Sequence, residues 1–374
     1  MWFLIVKVLP IGDFAHPAYG FINVQSLVMV SSIFGISGII FLVSWAAGFA
    51  VTAFTTKDSK KLKLTVIVMT VVVLLVATYS LSQTISAQRL FYQLPVEVSP
   101  GSQLKVTCLI GGGESKTEEV LKADPGIDLV LWSEETGYYN DVDELKNLQT
   151  IAKQYGSVIA PTYFNSTQSN NMAALISDNG DVLFTYKKRH PVPGVETSIK
   201  RGPGKVQSAD TILGKIALAI CFDFNFPDYI AKVSHDTDIF LQPSQTWGPI
   251  GKYHAKVNAM RSVEQGFLLI RCSSYGYSGV YNPDGSWSAF TPDKESGAYT
   301  FVVPRRFNRV FTLYSYIGDT FGWITVIFAF LYLGGLVFVP NSILKKLRYW
   351  TILSNTRDQY ANINSDKDED YGMI

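Results

Sequence analysis

The 374-residue sequence predicts an α/β domain flanked by transmembrane α-helices, two before it and one after it. Hydrophobic residues make up 47% of the chain and charged residues only 17%, against about a quarter in an average globular protein. No Asp, Glu, Lys or Arg occurs in three windows, 14–56, 64–88 and 320–344. Each window exceeds the roughly 20 apolar residues that cross a bilayer. Between the last two windows, short apolar runs alternate with helical patterns, which is typical of an α/β domain.

The three uncharged windows contain the predicted membrane helices. The first helix, at about 21–54, is longer than one span needs, so a tilted helix or a helix with an interfacial lead-in would fit. The second, at about 64–83, is rich in β-branched residues, but its uninterrupted length favours a membrane helix over strands. The third lies within 316–340 and is followed by a polar tail, 341–374.

Basic residues predict the orientation of these helices. One cluster, Lys57 to Lys63, lies between the first two helices, and a second, Lys345 to Arg348, follows the third. Positively charged residues stay on the cytoplasmic side of a membrane. Both clusters can do so only if the middle domain, 91–315, lies on the other face. We therefore expect an integral protein of the plasma membrane or an endomembrane, with a membrane region at 1–90, an extracytoplasmic domain and a cytoplasmic tail.

The middle domain shows the patterns of both strands and helices. Apolar runs predict buried strands at 104–110, 128–132, 215–220, 238–241 and 268–271. Apolar residues at helical spacing predict helices at 141–155 and at about 253–265. Two turn sequences, DNGD at 178–181 and NPDG at 282–285, lie between apolar runs and predict hairpins. These elements together favour a mixed, layered α/β fold.

Reactive side chains follow three of the predicted strands: Glu134 and Glu135, then Lys187 and Lys188 with Glu196 beyond them, and Cys221. A strand that runs directly into Cys221 is typical of a nucleophile turn, which would leave the sulfur at a sheet edge facing solvent. A glutamate can take the thiol proton, and a lysine can stabilise the developing oxyanion. The residue types therefore favour acyl transfer through a thioester.

The same segments resemble the nitrilase, or carbon–nitrogen hydrolase, superfamily, and within it the apolipoprotein N-acyltransferase branch. The matching motifs follow one another in the family's order: Trp132-Ser133-Glu134, the stretch from Lys188 to Glu196, Cys221-Phe222-Asp223, Met260-Arg261-Ser262-Val263-Glu264 and Asn282-Pro283-Asp284-Gly285. The resemblance implies a nitrilase-like αββα sandwich for the middle domain. The family has more membrane helices before this domain, so the chain is expected to be an N-terminally shortened relative.

The resemblance also implies roles for individual residues. Cys221 would be the nucleophile, Glu134 the general base and Lys188 the cation on the oxyanion side. Glu134 is favoured over Glu135, and Lys188 over Lys187, because they keep the family's register. A lysine close to Cys221 leads us to expect a depressed pKa for its thiol.

Further residues are expected to support this set. Glu196 would orient Lys188 or take part in proton transfer. The backbone N–H of Phe222 would be a second donor to the oxyanion. Asp223 stands where the family has a longer carboxylate. Trp247 and Tyr138 are candidates for lining the path of an acyl chain, with packing or interfacial anchoring as the alternative.

The expected function is that of a membrane-bound N-acyltransferase. It would move an acyl group from a phospholipid, through a thioester, to an amine acceptor, as in lipoprotein N-acylation. A membrane-anchored amidase or nitrilase-type hydrolase is the second hypothesis, and a non-catalytic remnant of the fold is the third. We expect no cofactor and no metal, and a net charge of +1 makes nucleic acid a poor partner.

Three smaller features complete the sequence predictions. Cys108 and Cys272 are expected to be strand-core thiols, with a disulfide between them as the alternative outside the cytoplasm. Asn165-Ser166-Thr167 is an N-glycosylation sequon. Tyr371 to Ile374 resembles a tyrosine-based sorting signal, although four-residue matches are frequent by chance.

Overall fold

A computed structural model describes residues 2–55, 59–92, 103–292, 296–304 and 309–338. The chain divides into two compact units, Met1–Gly322 and Trp323–Ile374. The first unit contains the α/β domain and the elements before it. In the second unit, the described residues form most of one helix. The predicted basic cluster at Lys345 and the motif at Tyr371 lie outside the described residues.

The described strands are β1 Gln103–Ile110, β2 Leu129–Trp132, β3 Gly137–Tyr138, β4 Val158–Ala160, β5 Thr162–Asn165, β6 Asn170–Ile176, β7 Val182–Lys187, β8 Gln207–Thr211, β9 Gly214–Leu218, β10 Ile239–Gln245, β11 Leu268–Ser274, β12 Ser278–Tyr281, β13 Trp287–Thr291 and β14 Gly297–Pro304. The α-helices are α1 Trp2–Val8, α2 Gln25–Val28, α3 Ser31–Phe34, α4 Ile36–Thr55, α5 Ser59–Tyr92, α6 Gly113–Ala123, α7 Lys146–Tyr155, α8 Pro227–Ile230, α9 Gly248–Gln265, α10 Leu313–Ile317 and α11 Thr320–Phe338. Short 3₁₀ helices occupy Pro17–Phe21, Val142–Leu145 and Cys221–Asn225.

These strands form two sheets. The first sheet has the order β14-β1-β2-β4-β6-β5-β3, with β7 paired to β6, and the second has the order β13-β12-β11-β10-β9-β8. Parallel pairing joins β1, β2 and β4 in the first sheet and β9, β10 and β11 in the second. Both predicted hairpins are confirmed, because β6 pairs antiparallel with β7 and β12 with β13.

Side chains from the two faces of each strand pack the layers of the domain against one another. In β2, Leu129 and Leu131 belong to the core between the two sheets, whereas Val130 and Trp132 belong to the core under α6 and α7. A strand that is buried on both faces is a continuous run of apolar residues, so these strands could be predicted from the sequence. Ala255 and Ala259 of α9 pack against the core of the second sheet. The resulting order of helix, sheet, sheet and helix confirms the predicted αββα sandwich.

A disulfide joins the two sheets. Cys108 of β1 is bonded to Cys272 of β11, 164 positions away, while Cys221 is a free and buried thiol. The expectation of two free core thiols is therefore wrong, and the alternative, a disulfide between Cys108 and Cys272, is confirmed. Disulfides persist in oxidising compartments and are rare in the cytosol.

The first predicted membrane helix is interrupted: a continuous helix from about residue 21 is wrong, and the alternative of a helix preceded by a lead-in agrees with the structure. Gly35 has a φ of 64°, and a Cβ there would collide with the ring of Tyr314. The continuous helix, α4, begins after this break, and α2 and α3 form the lead-in. Within the described part of the chain, α4 is the one helix that is long and apolar enough to cross a membrane.

The other two predicted membrane segments are helical. The segment 64–83 lies within α5, which extends beyond it at both ends, and the third corresponds to α11. Helical structure is what the sequence predicted for both segments. Their insertion into a membrane, and the orientation of the chain, stay predictions.

An N-terminal segment, residues 2–34, packs against the α/β domain through a buried ion cluster. Arg261 of α9 lies 2.9 Å (Nη1) from Asp13 Oδ2 and 3.0 Å (Nε) from Glu264 Oε2, and all three side chains are fully buried. The backbone N–H of Asp13 donates to Asn225 O at 2.8 Å. Because Asn225 ends the 3₁₀ turn that begins at Cys221, the N-terminal segment lies directly against the predicted nucleophile turn.

Candidate active site

Cys221 begins a 3₁₀ turn just after β9. Its φ is 46°, a left-handed conformation that is uncommon for a residue other than glycine. Only 3% of its surface is exposed, so the expectation of a solvent-facing sulfur is wrong. Phe222, next to it, contacts Phe14 of the N-terminal segment, with ring centroids 6.5 Å apart. Residues far away in the sequence therefore contact the turn that carries the thiol.

Glu134 lies just beyond the end of β2. One carboxylate oxygen, Oε1, accepts from Lys188 Nζ at 2.6 Å and from Asn171 Nδ2 at 2.8 Å. The other, Oε2, accepts from the backbone N–H of Gln245 at 2.7 Å. The backbone N–H of Glu134 donates to Ser244 O at 3.2 Å, so the ends of β2 and β10 meet at this point. The fold therefore brings the carboxyl ends of the parallel strands of both sheets to one site.

Lys188 follows β7 and is 1% exposed. Its Nζ contacts both carboxylate oxygens of Glu196 at 2.7 Å, in addition to Glu134. Glu196 is held in turn by the backbone N–H of Val192, which donates to Oε2 at 2.6 Å. One ammonium group therefore lies between two carboxylates.

Gln245 connects the thiol to the carboxylate. Cys221 Sγ donates to Gln245 O at 3.5 Å, and the N–H of the same residue donates to Glu134. The side chain of Gln242, which precedes Gln245 by three residues in the same strand, donates to Cys221 O at 3.1 Å. The end of β10 therefore fixes the position of the nucleophile turn relative to Glu134.

Asp223, in the nucleophile turn, is fully buried and accepts several hydrogen bonds. Its carboxylate accepts from the hydroxyl of Tyr186 at 2.6 Å and from the backbone N–H of His190 at 2.7 Å, and it lies 2.9 Å from His190 Nδ1. It also accepts from the backbone N–H of Ile220 at 3.2 Å. These bonds tie the turn at Cys221 to the loop that follows Lys188, which agrees with the supporting role expected for Asp223.

Two cavities share Cys221 as a lining residue. An open cavity of about 620 Å³ is lined by four charged residues, Glu134, Glu135, Lys188 and Glu196, and by several neutral residues. A smaller cavity of about 140 Å³ is mainly apolar and reaches Ile11 and Phe14 of the N-terminal segment. Trp247 lines both cavities, as expected for a substrate-lining residue, but Tyr138 lines neither and is 77% exposed. The expectation for Tyr138 is therefore wrong, because β3 directs its ring to the surface.

The pKa of the Cys221 thiol is raised to about 12, mainly by burial and then by the negative charge of Glu134. Lys188 and Arg271 lower the pKa, but they do not offset the two larger effects. The expected depressed pKa is therefore wrong for the free protein. Proton transfer to a base during attack, rather than a standing thiolate, is the chemistry that this environment supports.

The lysine and the two carboxylates determine one another's charge. Burial opposes the charged form of Lys188, yet the charges of Glu134, Cys221 and Glu196 raise the pKa of its ammonium group above the ordinary value. Burial, together with Glu134, raises the pKa of Glu196, although Lys188 opposes the shift. Lys188 is therefore a permanent positive charge at the site.

We expect Glu134→Gln to make Cys221 more reactive toward iodoacetamide. Removing the carboxylate charge lowers the thiol pKa, and at pH 8 each unit of lowering gives about tenfold more thiolate. The measurement is the alkylation rate at pH 8, followed by mass spectrometry. Glu118→Gln, the same change on the exposed side of α6, is the matched control. An unchanged or slower rate in Glu134→Gln would mean that this charge does not control the thiol.

The sequence singled out most of the clustered residues but missed two. Lys187 lies at the surface, where Nζ donates to Gln168 Oε1, in agreement with the preference for Lys188. Asn171 and Gln245 were not identified as site residues. The polar pair Asn170-Asn171 at the start of an otherwise apolar strand was the available signal for the first. Gln245 contributes backbone atoms, for which the sequence carries no signal.

The sequon residue Asn165 is 4% exposed, and its Nδ2 donates to Asn140 O at 2.8 Å. A glycan on that nitrogen would have to break this bond and leave a buried position. Among the described residues, no group of three or more His, Cys, Asp and Glu side chains is arranged to hold a metal ion.

A family comparison agrees with this arrangement. Residues 115–308, more than half of the chain, match the model of the carbon–nitrogen hydrolase family, and the matched range contains Glu134, Lys188 and Cys221. The chain belongs to the carbon–nitrogen hydrolase family. Enzymes of this family use Glu–Lys–Cys catalysis.

Relatives of this family member include acyltransferases and amidases. Over 204 residues the chain is 34% identical to an apolipoprotein N-acyltransferase from Gloeobacter violaceus, covering 48% of this chain and 38% of the relative. A deaminated glutathione amidase from Dictyostelium discoideum is 29% identical over 33% of this chain and 50% of its own length. The apolipoprotein N-acyltransferase from Borreliella burgdorferi is 23% identical over 83% of this chain and 69% of its own length. The chain thus spans half or less of the first two relatives.

Proposed function

We propose that this carbon–nitrogen hydrolase family member is a membrane-bound N-acyltransferase. Cys221 would take an acyl group from a phospholipid ester, hold it as a thioester and pass it to an amine. The observation that carries the proposal is the position of Cys221, which lines both a small apolar cavity and a wide, open cavity with four charged side chains on its wall. An acyl chain and a polar second substrate could thus approach one sulfur by different routes.

The acylation step uses the contacts around Glu134. As Sγ attacks the ester carbonyl, its proton passes to the Glu134 carboxylate and a C–S bond forms. The ester C–O bond then breaks, and the alcohol of the lysophospholipid leaves with the proton from Glu134. Lys188, held by Glu134 and Glu196, supplies positive charge for the developing oxyanion, together with the backbone N–H of Phe222.

Several features support a lipid substrate and an extracytoplasmic site. Helix α4 is long and apolar enough to cross a membrane, and it directly follows the N-terminal segment that lines the apolar cavity. The disulfide between Cys108 and Cys272 favours an oxidising compartment, such as the outer face of the plasma membrane or the lumen of an endomembrane. The acyltransferase relatives make a lipoprotein the first acceptor to test.

A hydrolase is the second candidate, favoured by the amidase relatives. In a hydrolase, water entering through the open cavity would release the acyl group as a free acid. The donor would then be an amide or an ester, and no amine acceptor would be needed.

The decisive experiment supplies the purified full chain with a phospholipid that carries a radiolabelled acyl group. A synthetic peptide with an N-terminal diacylglyceryl-cysteine is then added to one half of the sample. We expect label on the protein first and on the peptide amine afterwards. Release of labelled fatty acid at equal rates with and without peptide would support the hydrolase. No label on a folded protein would contradict the proposed acyltransferase.

A further inference from the structure

Glu135 lines the same open cavity as Cys221, yet it belongs to neither the ion cluster of Lys188 nor any described hydrogen bond. Its neighbour Glu134 is almost completely enclosed, whereas Glu135 is only half-buried. Among the described residues its carboxylate has no hydrogen-bonding or ion-pair partner. A carboxylate on the wall of a reactive cavity, without a partner of its own, is available to a substrate.

The charges of the cavity wall favour a cationic substrate. The charged side chains that line it are Glu134, Glu135, Glu196 and Lys188. Lys188 already contacts Glu134 and Glu196, so Glu135 is the carboxylate that this lysine does not contact. A primary α-amine has an ordinary pKa of about 7.7–8.0 and reaches the site largely protonated at neutral pH.

We propose that Glu135 receives the amine acceptor, binding its ammonium group and taking one proton from it before attack on the thioester. This inference rests on the proposed acyl transfer and names a specificity-determining residue for its second half. Burial, and then the charges of Glu134 and Glu196, raise the pKa of Glu135 to about 7. A base with that pKa can exchange protons with an amine near neutral pH.

A second base completes the proton balance of aminolysis for an amine that arrives protonated. The ammonium gives one proton to Glu135, and the neutral amine attacks the thioester carbonyl and forms the C–N bond. The second nitrogen proton passes to Glu134 as the tetrahedral intermediate collapses. The C–S bond breaks, and Sγ recovers its proton from Glu134. Glu135 then releases its proton to solvent, to which it is partly exposed. Hydrolysis needs only the proton transfer through Glu134, because attacking water is neutral.

The test is the partition of the acyl-enzyme between amine and water. Wild type, Glu135→Gln, Glu135→Asp and the distant control Glu118→Gln are labelled with radioactive acyl phospholipid and chased with the diacylglyceryl-cysteine peptide. The ratio of amide to free fatty acid is measured at pH 7 and pH 9. This ratio does not depend on the rate of acylation, so a change in the first half-reaction does not affect it.

We expect the ratio at pH 7 to fall about six- to tenfold in Glu135→Gln, because only about a tenth to a sixth of the amine is free at that pH. It should fall less in Glu135→Asp and be unchanged in Glu118→Gln. At pH 9, where the free amine predominates, the Glu135→Gln ratio should recover toward wild type. An unchanged ratio at pH 7, or an equal loss at both pH values, would overturn the role of Glu135. Failure of the wild type to form any amide would instead reject the proposed acyltransferase, so the two failures are distinguishable.

Discussion

Replacing Cys221 with alanine is expected to abolish acyl-enzyme formation and to reduce turnover at least about a thousandfold, because the bond-forming atom is removed. The measurement is the amount of label on the protein after incubation with radiolabelled phospholipid. The variant should fold, since alanine fills most of the space of a buried cysteine and the hydrogen bonds of Asp223 around the turn remain. Circular dichroism and the intact disulfide provide the check on folding.

The matched control for Cys221→Ala is the double variant Cys108→Ala/Cys272→Ala. It removes the other two cysteines together, because either single replacement would leave its partner as a new free thiol. The double variant should keep its label, although with lower stability. Label that persists on Cys221→Ala and disappears from the double variant would contradict the assignment of the nucleophile.

Lys188→Met is expected to impair both stability and acylation. The replacement leaves Glu134 and Glu196 enclosed without their shared cation, and loss of one partner from a buried ion cluster costs about 3–5 kcal/mol in the free energy of unfolding. Burial already raises the pKa of Glu196, and without Lys188 it rises further in the folded state, so the folded variant prefers this carboxylate protonated. The loss should therefore be larger at pH 8 than at pH 5.

Denaturant unfolding of the full chain at the two pH values measures this effect. Lys187→Met, the same change one residue earlier, removes only a surface bond to Gln168 and should change the unfolding free energy by about 0.5 kcal/mol or less. Equal unfolding free energies for wild type and Lys188→Met at pH 8 would show that the ammonium group does not hold this cluster together. Acyl-enzyme should be undetectable in Lys188→Met and normal in Lys187→Met.

The sequence located much of the sandwich because its central strands are parallel and buried on both faces. Such strands are continuous apolar runs, and the reactive residues stand out as the first charged residues or cysteine after them. Glu134 and Cys221 were found in this way. Lys188 instead follows β7, a half-buried strand paired antiparallel with β6, and the family resemblance selected it over Lys187. The disulfide was left as one of two alternatives, because pairing 164 positions apart depends on how the sheets face each other.

Two features could not be predicted from the sequence, because they involve contacts between distant segments. At Gly35 the backbone is left-handed and a Cβ would collide with the ring of Tyr314. An apolar window alone could not locate this break, so it left a tilted helix and a helix with a lead-in as alternatives. Cys221 is buried in a turn whose next residue, Phe222, contacts Phe14 of the N-terminal segment, and this burial reverses the expected direction of the thiol pKa shift. Both features involve contacts between residues far apart in the sequence, Gly35 with Tyr314 and Phe14 with Phe222.

The bond between Cys108 and Cys272 also bears on how the protein should be produced. In a bacterial cytosol, thioredoxin and glutathione would keep both sulfurs reduced, and the two β-sheets would lose their covalent tie. Removal of a cross-link of this kind typically costs about 2–5 kcal/mol. Inactive recombinant material from such a host would therefore say little about catalysis, whereas export to the periplasm or secretion from yeast would yield the molecule described above.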